Sequence, residues 1–312
     1  MLGRSFWRFV FGVGQWTGSR WKKFGDIREL RDLTRRRRTL MGDGAAEKNR
    51  VQKILEDANV KIGNVLSDVF GSSGQAMLEA LMENKRSATE IAELGHWSLA
   101  PKIPQIVKAL EGHRMTDHRR FMIRQCLRHL RTIEEMIEEL DKEIAVRLKP
   151  FQQQVKLACT VPGIKPTAAA TILAETGMDM SPEGPFPDCH HLASWATVCP
   201  GNNESAGKRK SGRTRHGNRW LRATLTQTAW AGAADKKSLF QMRYQKLKLR
   251  RGGQRAVIAI AHAQLIAIYW ALRNGTPYPE QVQRMEQDRR EAQIRYHLQR
   301  LTKLGHEPDV PG

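Results

Sequence analysis

The stretch CLRHLRTIEEMIEELDKEIAVRL, residues 126–148, places Leu127, Leu130, Ile133, Ile137, Leu140, Ile144 and Leu148 at steps of three, three, four, three, four and four. Steps of that kind put every one of these residues on one side of an α-helix, while Glu134, Glu135, Glu138 and Glu139 fall outside the seam. A near-heptad seam asks for a second helix. Either the segment from Arg35 to Ala58 folds back on it, or the same segment of a second copy does; a single amphipathic helix lying on a globular core is the third reading. All three make this part of the chain helical.

Upstream, Ile27, Leu30 and Leu33 recur at spacing three, TRRRRTL sets four adjacent arginines at 35–38, and Val51, Ile54, Leu55 and Ala58 resume the apolar stripe. This predicts one long basic helix or two abutting ones. Before it, Met1 to Gly25 is rich in Gly, Trp, Phe, Arg and Lys without a period, and is expected to be a disordered leader. Gly63 and FGSSG (70–74) mark turns, short helices are expected at Met77, Leu78 and Leu81 and at 89–94, and Pro101 and Pro104 punctuate. Pro150 closes the seam helix.

Downstream, VPGIKPTAAATILAETG (161–177) reads as a tight turn and a helix beginning at Pro166. The turn resembles a helix-hairpin-helix motif, in which backbone N–H groups at the hairpin and the second helix N-terminus hold a DNA phosphate. Lys165 stands where a second glycine is usual, and its side chain offers a charge instead; a plain helical turn is the competing reading. The apolar run Ala256 to Leu272 is shorter than the ~20 residues a bilayer asks for and contains His262 and Gln264, so it reads as a buried core helix. No membrane insertion or secretion is expected. The resulting architecture is all-α: leader 1–25, helical coiled-coil linker 26–150, a compact helical domain 151–278, and a charged helical tail 279–312. Trp195, Leu221, Leu225, Trp230, Val257, Ile260, Leu265 and Ile268 are the expected core.

Charge narrows the function. Across 312 residues, Lys and Arg number 52 against 32 acids, a formal charge of +20 and a pI near 10.2. The excess concentrates in PGNNESAGKRKSGRTRHGNRWLR (200–222), where Lys208, Arg209, Lys210, Arg213, Arg215, Arg219 and Arg222 sit among Gly, Asn and Ser that keep a loop open. Between Lys208 and Arg255 the only acid is Asp235, so this cannot be a mixed-sign solvated face. A polyanion, DNA or RNA, is the expected partner. Ser205 lies in the same loop, with guanidinium groups on its C-terminal side; by composition alone it is a turn residue, and His216 and Lys208 are proton acceptors that nothing in the sequence positions. Cys189, His190, His191 and Cys199 match no common metal-ligand spacing, and no metal site is expected. The four cysteines contain no CxxC pair, which fits a reducing, cytoplasmic setting and not a disulfide framework.

The string HLASWATVCPGNNESAGKRKSGRTRHGNRWLRATL (191–225), with VPGIKPTAAATILAETG before it and GGQRAVIAIAHAQL (252–265) after it, resembles the C-terminal transposase domain of the IS-one-ten (IS-one-sixteen/IS-nine-oh-two) family of bacterial insertion-sequence transposases. DIRELRDLTRRRRTL, EKNRVQKILEDANVKI and the helix from Asp117 resemble that family's linking coiled-coil region, so the likeness runs from about Asp26 to the tail. It implies a DNA recombinase acting in transposition, with Ser205 as nucleophile and Lys165, Lys208, Arg209, Lys210, Arg213, Arg215, Arg219 and Arg222 on the DNA. It also implies a composite active site, whose other half is a RuvC-like domain with a DEDD carboxylate set for divalent metal. Met1 to Gly25 contains no Asp or Glu. The expectation is therefore an N-terminally truncated copy with no cofactor of its own, with Mg²⁺ only if another chain supplies the DEDD domain. Expected partners are element-end and target DNA, a structured non-coding RNA, and a second transposase copy joined through the coiled coil. The alternative is a catalytically silent DNA- or RNA-binding module that pairs with or inhibits the full-length enzyme.

Overall fold

The computed structural model describes residues 18–199, 203–206, 208–211, 214 and 217–279, with short helical pieces at 282, 293–296, 298 and 300; side chains are described from Ile27 onward, apart from those of the hairpin strands. Met1 to Thr17 and nearly all of the expected charged tail lie outside these residues. The elements are α1 (Gly18–Asp57), α2 (Ser72–Glu83), α3 (Ala88–Ala92), α4 (Ile103–Leu110), α5 (Asp117–Leu148), α6 (Gln152–Cys159), α7 (Pro166–Thr176), α8 (Cys189–Trp195), β1 (Asn203–Ser205), β2 (Lys208–Ser211), α9 (Arg219–Ala234), α10 (Leu239–Arg251) and α11 (Gly253–Asn274). The fold is all-α, the two short strands forming a single hairpin. α1 is one uninterrupted helix whose backbone already starts at Gly18, inside the stretch expected as a leader.

Two compact units divide the chain, residues 36–143 and the remainder, so the boundary falls within both long helices. In the 36–143 unit α1 and α5 run antiparallel. Arg37 Nε donates to Asp141 at 2.5 Å, His129 Nδ1 lies 2.8 Å from Glu47 Oε1, and a Cβ on Gly44 would touch Leu130 and Ile133 at 3.6 Å. Of the partners open to the seam, α1 of the same chain is the one seated there. Burial alone would raise the Glu47 carboxyl, but hydrogen bonds from His129 and Cys126 and the charge of Arg50 outweigh it and hold the group below its ordinary value. The hydrophobic core of this unit is built from Val51, Leu55, Met77, Leu78, Leu81, Ile106, Leu110, Ile123 and Leu130. Ser87 and Glu90 cap α3 reciprocally. Arg120 is buried and donates to Leu81 O and Asn84 Oδ1, satisfying the end of α2, where Asn84 turns the chain with φ 57°.

The other unit is organised around α11, which α6, α8, α9 and α10 cover. This helix is long and apolar enough to cross a membrane by composition, yet Val257, Ile260, Ala261, Gln264, Leu265, Ile268 and Tyr269 are buried within the unit. Leu221 and Leu225 join them as expected. Trp195 is half-buried against Phe186, and Trp230 departs from the expected core: it is 49% exposed and packs edge-on to Tyr244. Its position on α9 faces away from the side that carries Leu221, Leu225 and Ala229.

The PGIKP turn between α6 and α7 is pressed onto α9. Gly163 has φ 87°, and a Cβ there would lie 2.4 Å from Gly232 N and from Thr228 O; one on Gly232 would meet Pro162 O at 2.8 Å. Gln264 of α11 locks this approach: its Nε2 donates to Pro162 O at 2.8 Å and Thr228 O at 3.0 Å, and its Oε1 accepts from Thr228 Oγ1 at 2.9 Å. A polar side chain thus sits in an apolar helix because the turn it fastens has a carbonyl that water cannot reach.

Gly163→Ala is expected to cost about 3 kcal/mol or more, because backbone strain and a backbone clash coincide. Gly275, left-handed at φ 65° and ψ 18° with nothing within 4 Å, separates the two effects: Gly275→Ala should cost only about 1 kcal/mol in the same urea titration. Equal losses for the two variants would count against the close-approach reading.

Candidate nucleic-acid interface and serine hairpin

The stretch expected as an open loop contains a tight antiparallel hairpin. Ser205 ends β1 and pairs with Lys208, Glu204 pairs with Arg209 and Asn203 with Ser211, with a register irregularity between Asn203 and Glu204. Ala206, at φ 52°, begins the two-residue connection. A positive φ there gives the turn a twist that matches the strands, which is why a short Gly-containing link closes instead of staying open. Ser205 stands at the edge of that turn. For Ser205, Lys208, Arg209 and Lys210 the backbone alone is described; Arg213 and Arg215 lie outside the described residues.

The base of the hairpin segment is held by close packing. Thr197, leaving α8, has φ 55°, and a Cβ on Gly217 would fall 2.4 Å from both Thr197 Oγ1 and Cγ2. A β-branched residue in this region carries strain of about 1–3 kcal/mol. Its Oγ1 is buried with no partner among the described residues. Asn218 follows and caps α9, its Oδ1 accepting from Trp220 N at 3.0 Å and Leu221 N at 3.1 Å. Arg219, the first residue of α9, is exposed with its guanidinium 4.6 Å from the Trp220 ring centre, and Arg222 donates to Thr214 Oγ1 at 2.8 Å.

Behind this entry lies Glu175, 3% exposed near the end of α7. Arg35 of α1 grips it with two bonds, Nε to Oε1 at 2.7 Å and Nη2 to Oε2 at 2.8 Å. Arg31, one turn earlier, lies 3.7 Å from Oε2 and donates to Ala174 O at 2.9 Å, covering a helix-end carbonyl that lacks a partner within α7. Asn218 Nδ2 completes the set at 2.5 Å from Oε2. The bond to Glu175 lifts the Arg35 guanidinium above its ordinary value, whereas burial lowers that of Arg31. None of Arg31, Arg35, Glu175 and Asn218 was singled out from sequence. The available signal was Glu175 itself, a lone acid at the end of the apolar TAAATILAET.

The expected DNA contacts whose side chains are described, Lys165, Arg219 and Arg222, do not form one cluster. Lys165 is exposed at the N-cap position of α7, in the turn pressed against Gly232, whereas Arg219 and Arg222 lie in the first turn of α9. Those ends of α9 are ~20 Å apart at 1.5 Å per residue. α10 adds a further basic surface: Arg243, Lys246, Lys248, Arg250 and Arg251 are exposed, as is Arg255 at the start of α11, and no acid among the described residues forms an ion pair with them. Leu249 on this surface is 90% exposed. His191 is paired with Asp188 at 2.9 Å, and among the described residues no three His, Cys, Asp or Glu side chains gather as a metal site.

Residues 155–245 match the model of the Transposase IS116/IS110/IS902 family. The match supports a C-terminal transposase domain of that kind in this segment and an insertion-sequence transposase role. It takes in the hairpin, Glu175 and Asn218 and stops short of α11; Arg31 and Arg35 lie upstream of it. No curated protein matches the chain.

Arg35→Ala leaves a buried carboxylate with a weaker partner set and is expected to lower unfolding stability by about 3 kcal/mol. Arg35→Lys should restore only part of this, since an ammonium cannot form the two-bond fork. Thermal melts followed by far-UV circular dichroism measure both; full restoration by Lys would contradict the fork as the source.

Proposed function

We propose that this chain, whose residues 155–245 form an insertion-sequence transposase domain, acts on DNA with Ser205 as its nucleophile. The observation that carries the reading is the place of Ser205 at the end of β1, at the turn of a basic hairpin. In the proposed step Ser205 Oγ bonds to a DNA phosphorus, the bond from phosphorus to one deoxyribose oxygen breaks, and the hydroxyl proton passes to a base, His216 or, if it stands as the neutral amine and not as a phosphate contact, Lys208. The departing oxygen takes a proton from solvent. Arg209, Arg213, Arg215 and Arg219 neutralise the phosphate and the charge that develops on it.

Lys165, Lys208, Lys210 and Arg222 act in this reading as backbone contacts that carry no sequence information. The PGIKP turn serves as a helix-hairpin-helix-like phosphate contact, supported by the exposed N-terminus of α7 beside Lys165. Mg²⁺ would assist phosphoryl transfer only where a RuvC-like DEDD domain on a transposase copy supplies the carboxylates that hold it. Assembly with such a copy through the coiled-coil helices, a structured RNA partner, and a cytoplasmic, nucleoid-associated setting belong to the same reading.

A second reading rests on the exposed basic surface of α10, which no acid among the described residues pairs with: a catalytically silent DNA- or RNA-binding module that pairs with or inhibits an intact transposase. Both readings expect salt-dependent binding. Lys246→Gln and Arg250→Gln should each weaken DNA binding evenly across sequences and reduce the slope of log affinity against log salt by about 1. Ser205→Ala separates the readings. With element-end DNA, Mg²⁺ and an intact relative present, a denaturing gel should show a covalent adduct of this chain that disappears in Ser205→Ala while binding is retained. Binding with no adduct, where the intact relative forms one, would leave the module.

A further inference from the structure

We propose that Glu175 is a positioning residue for the serine hairpin, acting through Asn218 and itself held by Arg31 and Arg35 of α1. The inference rests on the reading of Ser205 as nucleophile. Asn218 is where the hairpin segment becomes α9, and its two amide ends do separate work. The carboxylate of Glu175 can only accept, so the amide nitrogen faces it, at 2.5 Å; the amide oxygen is thereby turned to Trp220 N and Leu221 N. Glu175 thus sets the orientation of the cap, and the cap sets where the returning chain enters α9.

That return is narrow. Gly217, one residue before, is wedged against Thr197, and Thr214 is tied to Arg222 on the first turns of α9. A shift of Asn218 therefore displaces the base of the hairpin segment relative to the strained Thr197. Nor is Glu175 free to move: both its oxygens are engaged by Arg35, and Arg31 holds Ala174 O and, at 3.4 Å, the Glu175 carbonyl. Four side chains thus run from α1 to the base of the segment that carries Ser205.

Asn218→Ser tests this, because serine still caps α9 yet cannot reach Glu175 with a donor nitrogen. The expected result is a loss of about 10- to 100-fold in the rate of Ser205 adduct formation, with DNA affinity within about threefold of the parent and little change in melting temperature. Tryptic cleavage of the full chain after Lys208 to Arg215 gives a readout independent of chemistry, and should rise about tenfold in Asn218→Ser and in Glu175→Gln. Asn218→Asp keeps the cap but sets two carboxylates together, and should resemble Glu175→Gln and not the parent. Parental cleavage rates in Asn218→Ser and Asn218→Asp would overturn the proposal. A parent chain that forms no Ser205-dependent adduct would overturn the nucleophile reading instead, and the cleavage rates would still decide whether Glu175 orders the segment.

Discussion

A carboxylate buried to 3% exposure cannot stand alone in a helical domain, and the arrangement around Glu175 follows from meeting its demands. Removing a charge from water is costly, and the cost is offset only when both oxygens receive good donors. Arg35 supplies a two-bond fork, Arg31 adds charge and covers the carbonyl at the end of α7, and Asn218 supplies the third donor. Helices α1, α7 and α9, far apart in sequence, are thereby held in one register. The consequence for function is that the point where the serine hairpin segment enters α9 is set from beneath the surface.

The opposite end of α9 is ordered by a different device. Gly163 and Gly232 allow two backbones to come within a distance that any side chain would forbid, and Gln264 satisfies the carbonyls left behind. α9 is therefore fastened at both ends, by an ionic network at its N-terminus and by close backbone packing near its C-terminus. Each end carries one of the sequence-derived basic features, the arginines after Ser205 at one and Lys165 at the other. A phosphate backbone long enough to meet both would have to follow α9 for ~20 Å, which suits a nucleic acid better than a small anion.

The surface charge has a simpler origin. α10 presents Arg243, Lys246, Arg250 and Arg251 to solvent while Phe240 and Tyr244 face the core, so these cations are exposed with no acidic partner among the described residues. Basic residues in the last turn of α10 complement the helix dipole, a local benefit of a few tenths of a kcal/mol. That benefit does not account for the remainder of the excess charge, which the proposed nucleic-acid partner would neutralise.

Period and composition were sufficient for the helical class, for the long α1 and α5, for the turn at Gly163 and for a core helix over Ala256 to Leu272, because each depends on neighbours within a few residues. They were also sufficient to mark the basic stretch around Ser205, since charge density and Gly content need no third dimension; Ser205 itself was singled out by the family resemblance and not by composition. The exposure of Trp230, the hairpin at Ala206 and the choice of α1 as the partner of the α5 seam were not legible in this way. Nor was the assembly of Arg31, Arg35, Glu175 and Asn218, whose hydrogen-bonded partners lie up to 144 residues apart. Whether a lone acid in an apolar helix becomes a liability or a keystone depends on which donors the fold carries to it, and long-range packing alone decides that.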